Sequence, residues 1–239
     1  MDFLSVVIPA YNEAPRISRA LERVAQFLRQ QPYRWEILVV DDGSRDDTAK
    51  QVEALAGKIP QLHLVRHPTN LGKGAAVRTG LKKAQGEAIL FCDADGATPI
   101  EELNRLLPHL QEVSIVVGSR RLAGSSIVVK QQWIRRWMSA LYQWLCRRLL
   151  VPGVSDDTCG FKLLSRQAAQ CCATRMRIDR WSFDAEILTI AKIQRLAFLE
   201  VPIRWSHQKK TKVRLWRDGV GSFRELLQIF KYQTKGAYR

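Results

Sequence analysis

The chain has 239 residues, 46% of them hydrophobic, which is enough for a sizeable core and excludes disorder over most of its length. A formal net charge of +15 calls for an anionic partner: nucleic acid, anionic lipid or a phosphorylated substrate. Five cysteines without a C-x-x-C spacing give neither a disulfide framework nor a zinc site, and they fit a reducing compartment.

The sequence starts directly in a strand pattern, with no leader of the charged-then-apolar kind. Leu4 to Ile8 is a β-branched apolar run, a buried strand. Ile17, Ala20, Leu21, Val24, Phe27 and Leu28 then recur at helical spacing. Strand patterns follow at Glu36–Val40, Leu62–Val65, Ala88–Cys92 and Ile115–Val117. Helical patterns separate them at Thr48–Leu55, Ala75–Ala84 and Glu101–Leu110. This alternation predicts an α/β fold, a mostly parallel sheet with right-handed crossovers.

After residue 118 the alternation stops. Trp133, Ile134, Trp137, Met138, Leu141, Trp144, Leu145 and Leu149 form an apolar stripe flanked by arginines. Tryptophan on one face with Arg and Lys beside it suits a membrane interface; a core-facing helix is the competing reading. The tail from Phe223 through Leu226, Leu227, Phe230 and Tyr238 is a second, weaker amphipathic candidate. No apolar run reaches the roughly 18 residues of a bilayer span.

The charge is not evenly spread. No acidic residue lies between Glu112 and Asp156, a stretch holding Arg120, Arg121, Lys130, Arg135, Arg136, Arg147 and Arg148. A second basic run includes Arg204, Lys209, Lys210, Lys212, Arg214 and Arg217. The tryptophans among the first group favour a lipid surface over nucleic acid.

In parallel sheets, ligands bind beyond the carboxyl ends of the strands. Those positions here read Pro9-Ala-Tyr-Asn-Glu13, Asp41-Asp-Gly-Ser44 and Asp93-Ala-Asp-Gly96. Any one of these carboxylates is most simply a turn or cap residue. Three strand ends together crowd negative charge that a divalent cation would relieve. Asp93 and Asp95 are the candidate metal ligands, since Mg2+ and Mn2+ take carboxylate and phosphate oxygens and leave positions for substrate. Gly72-Lys73-Gly74 is similar to a phosphate-binding loop, but no Ser or Thr follows the lysine, so it reads as a loop near a diphosphate or a helix-entry turn. The four histidines, at 63, 67, 109 and 207, are scattered and read as capping or surface residues.

Ser5-Val-Val-Ile-Pro9-Ala-Tyr-Asn-Glu13, Val39-Val-Asp-Asp-Gly-Ser44, Asn70-Leu-Gly-Lys-Gly74 and Asp93-Ala-Asp-Gly96 resemble the family 2 glycosyltransferases of GT-A fold. Gly118-Ser-Arg120, Asp156-Asp-Thr-Cys-Gly-Phe-Lys162 and Arg180-Trp-Ser-Phe-Asp184 resemble their polyprenyl-phosphate branch, dolichyl-phosphate β-glucosyltransferases in particular. The resemblance runs from about residue 3 to residue 208. It implies a GT-A domain over residues 1–208, with an interfacial helix near 128–150, followed by a basic loop and amphipathic segment over 209–239.

By this resemblance Pro9, Tyr11, Glu13 and Asp42 line the nucleoside pocket, with Asp42 accepting from the base. Asp93 and Asp95 hold Mg2+ or Mn2+ and the diphosphate, with Lys73 near it. Arg120, Arg135 and Ser139 meet the acceptor phosphate, and Lys212 belongs to a stretch that folds over the donor. Mannose-transferring relatives often carry D-x-D-x-Q; here Ala97 and Thr98 follow, in the D-A-D-G-A-T form of the glucosyl branch, favouring UDP-glucose over GDP-mannose. The implied activity is inverting hexose transfer to a polyprenyl phosphate at the cytoplasmic face of a membrane, held peripherally or monotopically, with no nucleic acid as partner.

A phosphate monoester is already anionic at neutral pH, since its second pKa is about 6, so it needs arginines rather than a general base. A saccharide or diacylglycerol acceptor would need a carboxylate base, for which Asp156 and Asp184 are the candidates. Trp181 reads as a core residue or a sugar contact.

Overall fold

The structure, a computed structural model, describes the backbone of residues 1–127, 133–206 and 215–239 and the side chains outside 126–139 and 207–218. The predicted alternation is present: β1 (Phe3–Ala10), α1 (Ile17–Leu28), β2 (Arg34–Asp41), α2 (Thr48–Ala56), β3 (Leu62–Arg66), α3 (Lys73–Lys83), β4 (Ala88–Cys92) and β5 (Ile115–Ser119). β4 and β5 are buried at every position, as continuous apolar strands covered on both faces must be.

One predicted helix is broken. Residues 101–110 form a 3-10 turn (Ile100–Glu102), a single helical turn, α4 (Leu103–Leu106), and a second 3-10 turn (Leu107–Gln111). Pro108 lies within the last of these and lacks the N–H that a continuing α-helix requires.

The later chain adds β6 (Ser126–Ile127), α5 (Trp133–Leu149), β7 (Phe161–Ser165), α6 (Arg166–Arg175), α7 (Phe183–Ile193), β8 (Phe198–Pro202), β9 (Arg204–Trp205) and α8 (Leu215–Thr234). The main sheet has seven strands in the order β3-β2-β1-β4-β7-β5-β8. Every ladder is parallel except those of β7, which runs antiparallel between β4 and β5. β7 therefore enters at the edge where its parallel neighbours end, and Phe161 pairs with Cys92. A short parallel pair, β6 with β9, lies beside this sheet.

Each face of the sheet is covered. One core joins Leu4, Val6, Ile8 and Leu90 to Ile17, Leu21 and Leu28 of α1 and Val52 of α2. The opposite core joins Val7, Ile89, Phe91 and Val117 to α3, α6 and α7, and it takes in Tyr142 and Cys146 of α5 and Leu226 and Ile229 of α8. Burying each such side chain contributes about 1.5–3 kcal/mol. The two late helices are thus half core: α5 buries Tyr142 and Cys146 but exposes Leu141 and Trp144, and α8 buries Leu226 and Ile229 but exposes Val220, Leu227 and Phe230. Tyr238, expected on an amphipathic tail, lies beyond α8 and is fully buried. The remaining stripe residues up to Met138, Trp133 and Trp137 among them, have side chains outside the described residues.

Candidate active site

The carboxyl ends of β1, β2, β4 and β5 meet the amino end of β7 at one edge, which gathers residues 9–13, 41–44, 93–97, 119–121 and 156–161. Asp93 follows β4 directly. Its Oδ1 lies 2.6 Å from Lys73 Nζ, the first residue of α3. The Asp93 carboxylate also lies over Gly160, where any Cβ would fall 2.4 Å from its Oδ2. Asp95 accepts a 2.9 Å hydrogen bond from Ala97 N within the same turn.

Burial raises the Asp95 pKa, and the charge of Asp93 raises it further. Burial works against the Lys73 ammonium, but Asp93, Asp184 and Asp95 outweigh it and hold its pKa above the ordinary value. Two crowded carboxylates of this kind suit a hard divalent cation. No group of three or more His, Cys, Asp or Glu that could hold a metal occurs among the described residues. An ion held by this pair would take its remaining ligands from phosphate and water.

Glu13 does not face the pocket alone. Its carboxylate grips Arg16, through Nε and a 2.9 Å bond from Nη2, and this hydrogen bonding raises the Arg16 pKa despite burial. Asp95 and Asp93 add to that rise, so Arg16 brings positive charge toward the carboxylate pair. The sequence reading missed Arg16. Pro9 is buried at the end of β1, and Tyr11 is half-buried just beyond it.

Asp42 departs from its expected role. Its carboxylate accepts from Asn70 Nδ2 (2.8 Å), Leu71 N (2.9 Å) and Gly72 N (2.8 Å), and it meets His67 Nδ1 at 2.8 Å. With the residue only 2% exposed, these oxygens shape the Asn70–Gly74 turn rather than stand open to a base. His67 is correspondingly no surface residue: its Nε2 lies 3.0 Å from Thr79 Oγ1, fixing the ring between the two.

Arg120 is likewise committed. Its Nε and Nη2 each lie 2.7 Å from the Asp156 carboxylate, its N–H donates to the same group at 2.9 Å, and its guanidinium stacks 5.5 Å over Trp205. Burial opposes both charges, yet the pair wins: Arg120 is raised and Asp156 lowered. A carboxylate so held is a poor general base. Arg121 is exposed, and none of the ion pairs among the described residues involves it.

Asp184, at the start of α7, lies 2.5 Å from the fully buried Lys162 Nζ. Burial raises its pKa, against the pull of Lys162 and Lys73. Lys162 also donates to the carbonyls of Cys159 (2.6 Å) and Asp157 (3.1 Å), fixing the turn that carries Gly160. Lysine 162 was quoted only within a motif; its position inside a strand gave no sign of this work. Trp181 is half-buried, and its backbone N–H donates to Glu225 at 3.1 Å. The side chains of Arg135 and Ser139, and the whole of Lys212, lie outside the described residues. All five cysteines are free.

The mostly parallel sheet, with β7 antiparallel inside it and carboxylates at its strand ends, is a GT-A-like fold. The chain belongs to glycosyl transferase family 2, whose model matches residues 5–172. Among curated relatives it is 37% identical to a dolichyl-phosphate beta-glucosyltransferase of Trichomonas vaginalis, over 89% of this chain and 66% of that protein. It is 34% identical to the dolichyl-phosphate beta-glucosyltransferase of Mus musculus, over 99% of this chain and 77% of that one. In fold it is similar to glucosyl-3-phosphoglycerate synthase from Mycobacterium tuberculosis, solved with Mn2+, UDP-glucose and phosphoglyceric acid, at TM-score 0.68 and 22% identity over 96% of this chain and 80% of that one.

Proposed function

We propose that this glycosyltransferase moves glucose from UDP-glucose to a dolichyl-type polyprenyl phosphate, with inversion, using Mg2+ or Mn2+. The observation that carries this reading is the Asp93–Asp95 pair braced by Lys73, in a chain 31–37% identical to dolichyl-phosphate beta-glucosyltransferases. The similar mycobacterial fold solved with UDP-glucose and Mn2+ supports the donor and the ion. Ala97, where mannose-transferring relatives often carry glutamine, supports glucose over mannose.

Asp93 and Asp95 would hold the ion, whose chemistry is to stabilise charge on the departing diphosphate. Lys73, paired with Asp93, would place an ammonium beside the donor phosphates. Arg16, oriented by Glu13, offsets the charge of the pair from the other side. The phosphate acceptor attacks C1 as an anion without prior deprotonation. This agrees with Asp156 and Asp184 being bound to Arg120 and Lys162 instead of standing free. Arg121, next in sequence to Arg120 and exposed, is a described arginine open to the acceptor phosphate, to which the resemblance adds Arg135 and Ser139.

We propose a membrane surface as the place of reaction. Trp144 and Leu141 are 55% and 53% exposed on α5, a helix ending in Arg147 and Arg148. No helix among the described residues is long and apolar enough to cross a membrane, which suits peripheral association. We assign the cytoplasmic face, in keeping with the free cysteines.

The test is transfer from radiolabelled UDP-glucose and, in parallel, GDP-mannose to a short polyprenyl phosphate with Mg2+ or Mn2+. A lipid-linked product from UDP-glucose is expected. Product from GDP-mannose alone would overturn the donor, and transfer only to saccharides or diacylglycerol would overturn the acceptor.

A further inference from the structure

The first turn of α3, which begins with Lys73, has no side-chain cap of its own. Its free N–H groups need partners. Gly74 N donates to the Arg180 carbonyl and Ala75 N to that of Asp179, each at 3.0 Å. The fit is close: a Cβ on Gly72, whose φ is +115°, would lie 2.3 Å from the Asp179 carbonyl oxygen. Arg78 adds a 2.7 Å ion pair to Asp179. The segment between α6 and α7 therefore caps the helix that presents Lys73 to Asp93.

That segment is itself held from the C-terminal region. Glu225 of α8 accepts from Trp181 N (3.1 Å) and Ser182 N (2.9 Å), and Ser182 Oγ donates to the Ser222 carbonyl at 3.1 Å. Ser182 is the N-cap position of α7 and makes no side-chain capping bond there. Glu225 thus holds the backbone that leads into α7 from another helix, with a negative charge near the positive end of α7. At the other end of the segment, Glu186 accepts from Arg177 N (2.8 Å), Ile178 N (3.0 Å) and the hydroxyl of Tyr238 (2.7 Å).

We infer that Glu225 is a positioning residue for the donor site: it holds the N–H groups of Trp181 and Ser182, directly after the Asp179 and Arg180 carbonyls that cap α3, and so sets Lys73 against Asp93. This rests on the assignment of that site to the nucleotide sugar. Glu225 touches neither Lys73 nor Asp93 and acts through two layers of backbone hydrogen bonds. Glu225→Ala removes the acceptor; Glu225→Gln keeps a carbonyl oxygen for the same N–H groups.

The test compares the full-length Glu225→Ala, Glu225→Gln and Ile229→Ala proteins with the wild type. Ile229→Ala serves as a control, since it opens the core on the same helix and leaves the Glu225 hydrogen bonds in place. Hydrogen exchange in peptides covering residues 72–78 and 177–183 is expected to speed up in Glu225→Ala, and not preferentially in the control. The KM for the nucleotide sugar should rise about tenfold, the size expected for a lost charged hydrogen bond, with a smaller change in kcat. Glu225→Gln should restore most of both. Unchanged exchange in Glu225→Ala, an unchanged KM, or an equal KM rise in the control at matched loss of Tm would each overturn the inference. If the wild type neither binds UDP nor transfers from any nucleotide sugar, the donor assignment fails, while the exchange comparison still decides whether Glu225 holds the α3 turn.

Discussion

Gly160 is bare because the Asp93 carboxylate occupies the place of its side chain: a Cβ there would meet Asp93 Cγ at 2.7 Å and Oδ2 at 2.4 Å. The turn that carries Gly160 is pinned by the buried Lys162, so it cannot retreat. Gly160→Ala must push Asp93 away from Lys73. Transfer is expected to fall by about a hundredfold, the usual cost of misplacing a reacting group by about 1 Å. Circular dichroism should stay native, and activity within threefold of wild type would show that Asp93 has room to move.

Asp95→Ala is expected to abolish transfer, by about a thousandfold or more, while leaving the fold intact. Excess EDTA should have the same effect on the wild type, reversed by Mn2+ or Mg2+. Activity unchanged by EDTA would remove the ion from the reaction.

The two neighbouring arginines should separate cleanly. Arg121→Ala is expected to raise the KM for polyprenyl phosphate several-fold, about 1 kcal/mol of lost acceptor binding at an exposed cation, with UDP affinity unchanged in titration calorimetry. Arg121→Lys should recover only part, since a point charge replaces a fork. Arg120→Ala should instead destabilise the protein, because it strands Asp156, which has no exposure at all. Equal losses of acceptor KM without loss of stability would return Arg120 to the acceptor site.

The Arg120–Asp156 pair also sets an acid limit. Its carboxyl is held below the usual aspartate value, so the stabilisation is complete above the unfolded pKa of about 3.9 and is lost as pH falls through the lower folded pKa. Melting temperature should therefore decline below about pH 4. Asp156→Asn should flatten that part of the decline and cost about 3 kcal/mol near neutrality by leaving Arg120 unpaired. An unaltered acid limb in the variant would show that other carboxylates govern it.

The sequence announced the first half of the fold well. Leu4–Ile8, Ala88–Cys92 and Ile115–Val117 are apolar runs that only a doubly covered strand explains, and all three are strands in the structure. The carboxylates at their ends were legible for the same reason: chain direction alone puts them at one edge. Residues 150–214 were not legible. β7 is five residues long and its antiparallel course depends on the gap between β4 and β5, a fact of tertiary structure. The pairing of Arg120 with Asp156 and of Glu225 with Ser182 spans 36 and 43 positions, and no local pattern encodes such partners. Asp42 was named correctly as a strand-end carboxylate, but its commitment to the Asn70–Gly72 amides follows from the turn, not from the motif.

The placement of β7 has a consequence for how the chain comes into being. β4 and β5 are successive parallel strands, yet they never pair; the strand between them is made more than forty residues after β5 begins. On the ribosome, the first part of the chain must wait with the edges at Phe91 and Val117 open, and open edges invite pairing with other chains. A fragment ending at Ser119 should therefore aggregate where the whole chain does not. In the folded chain β7 closes that gap and carries Gly160 against Asp93. A chain in which β7 is not yet paired should therefore lack one wall of the proposed donor site.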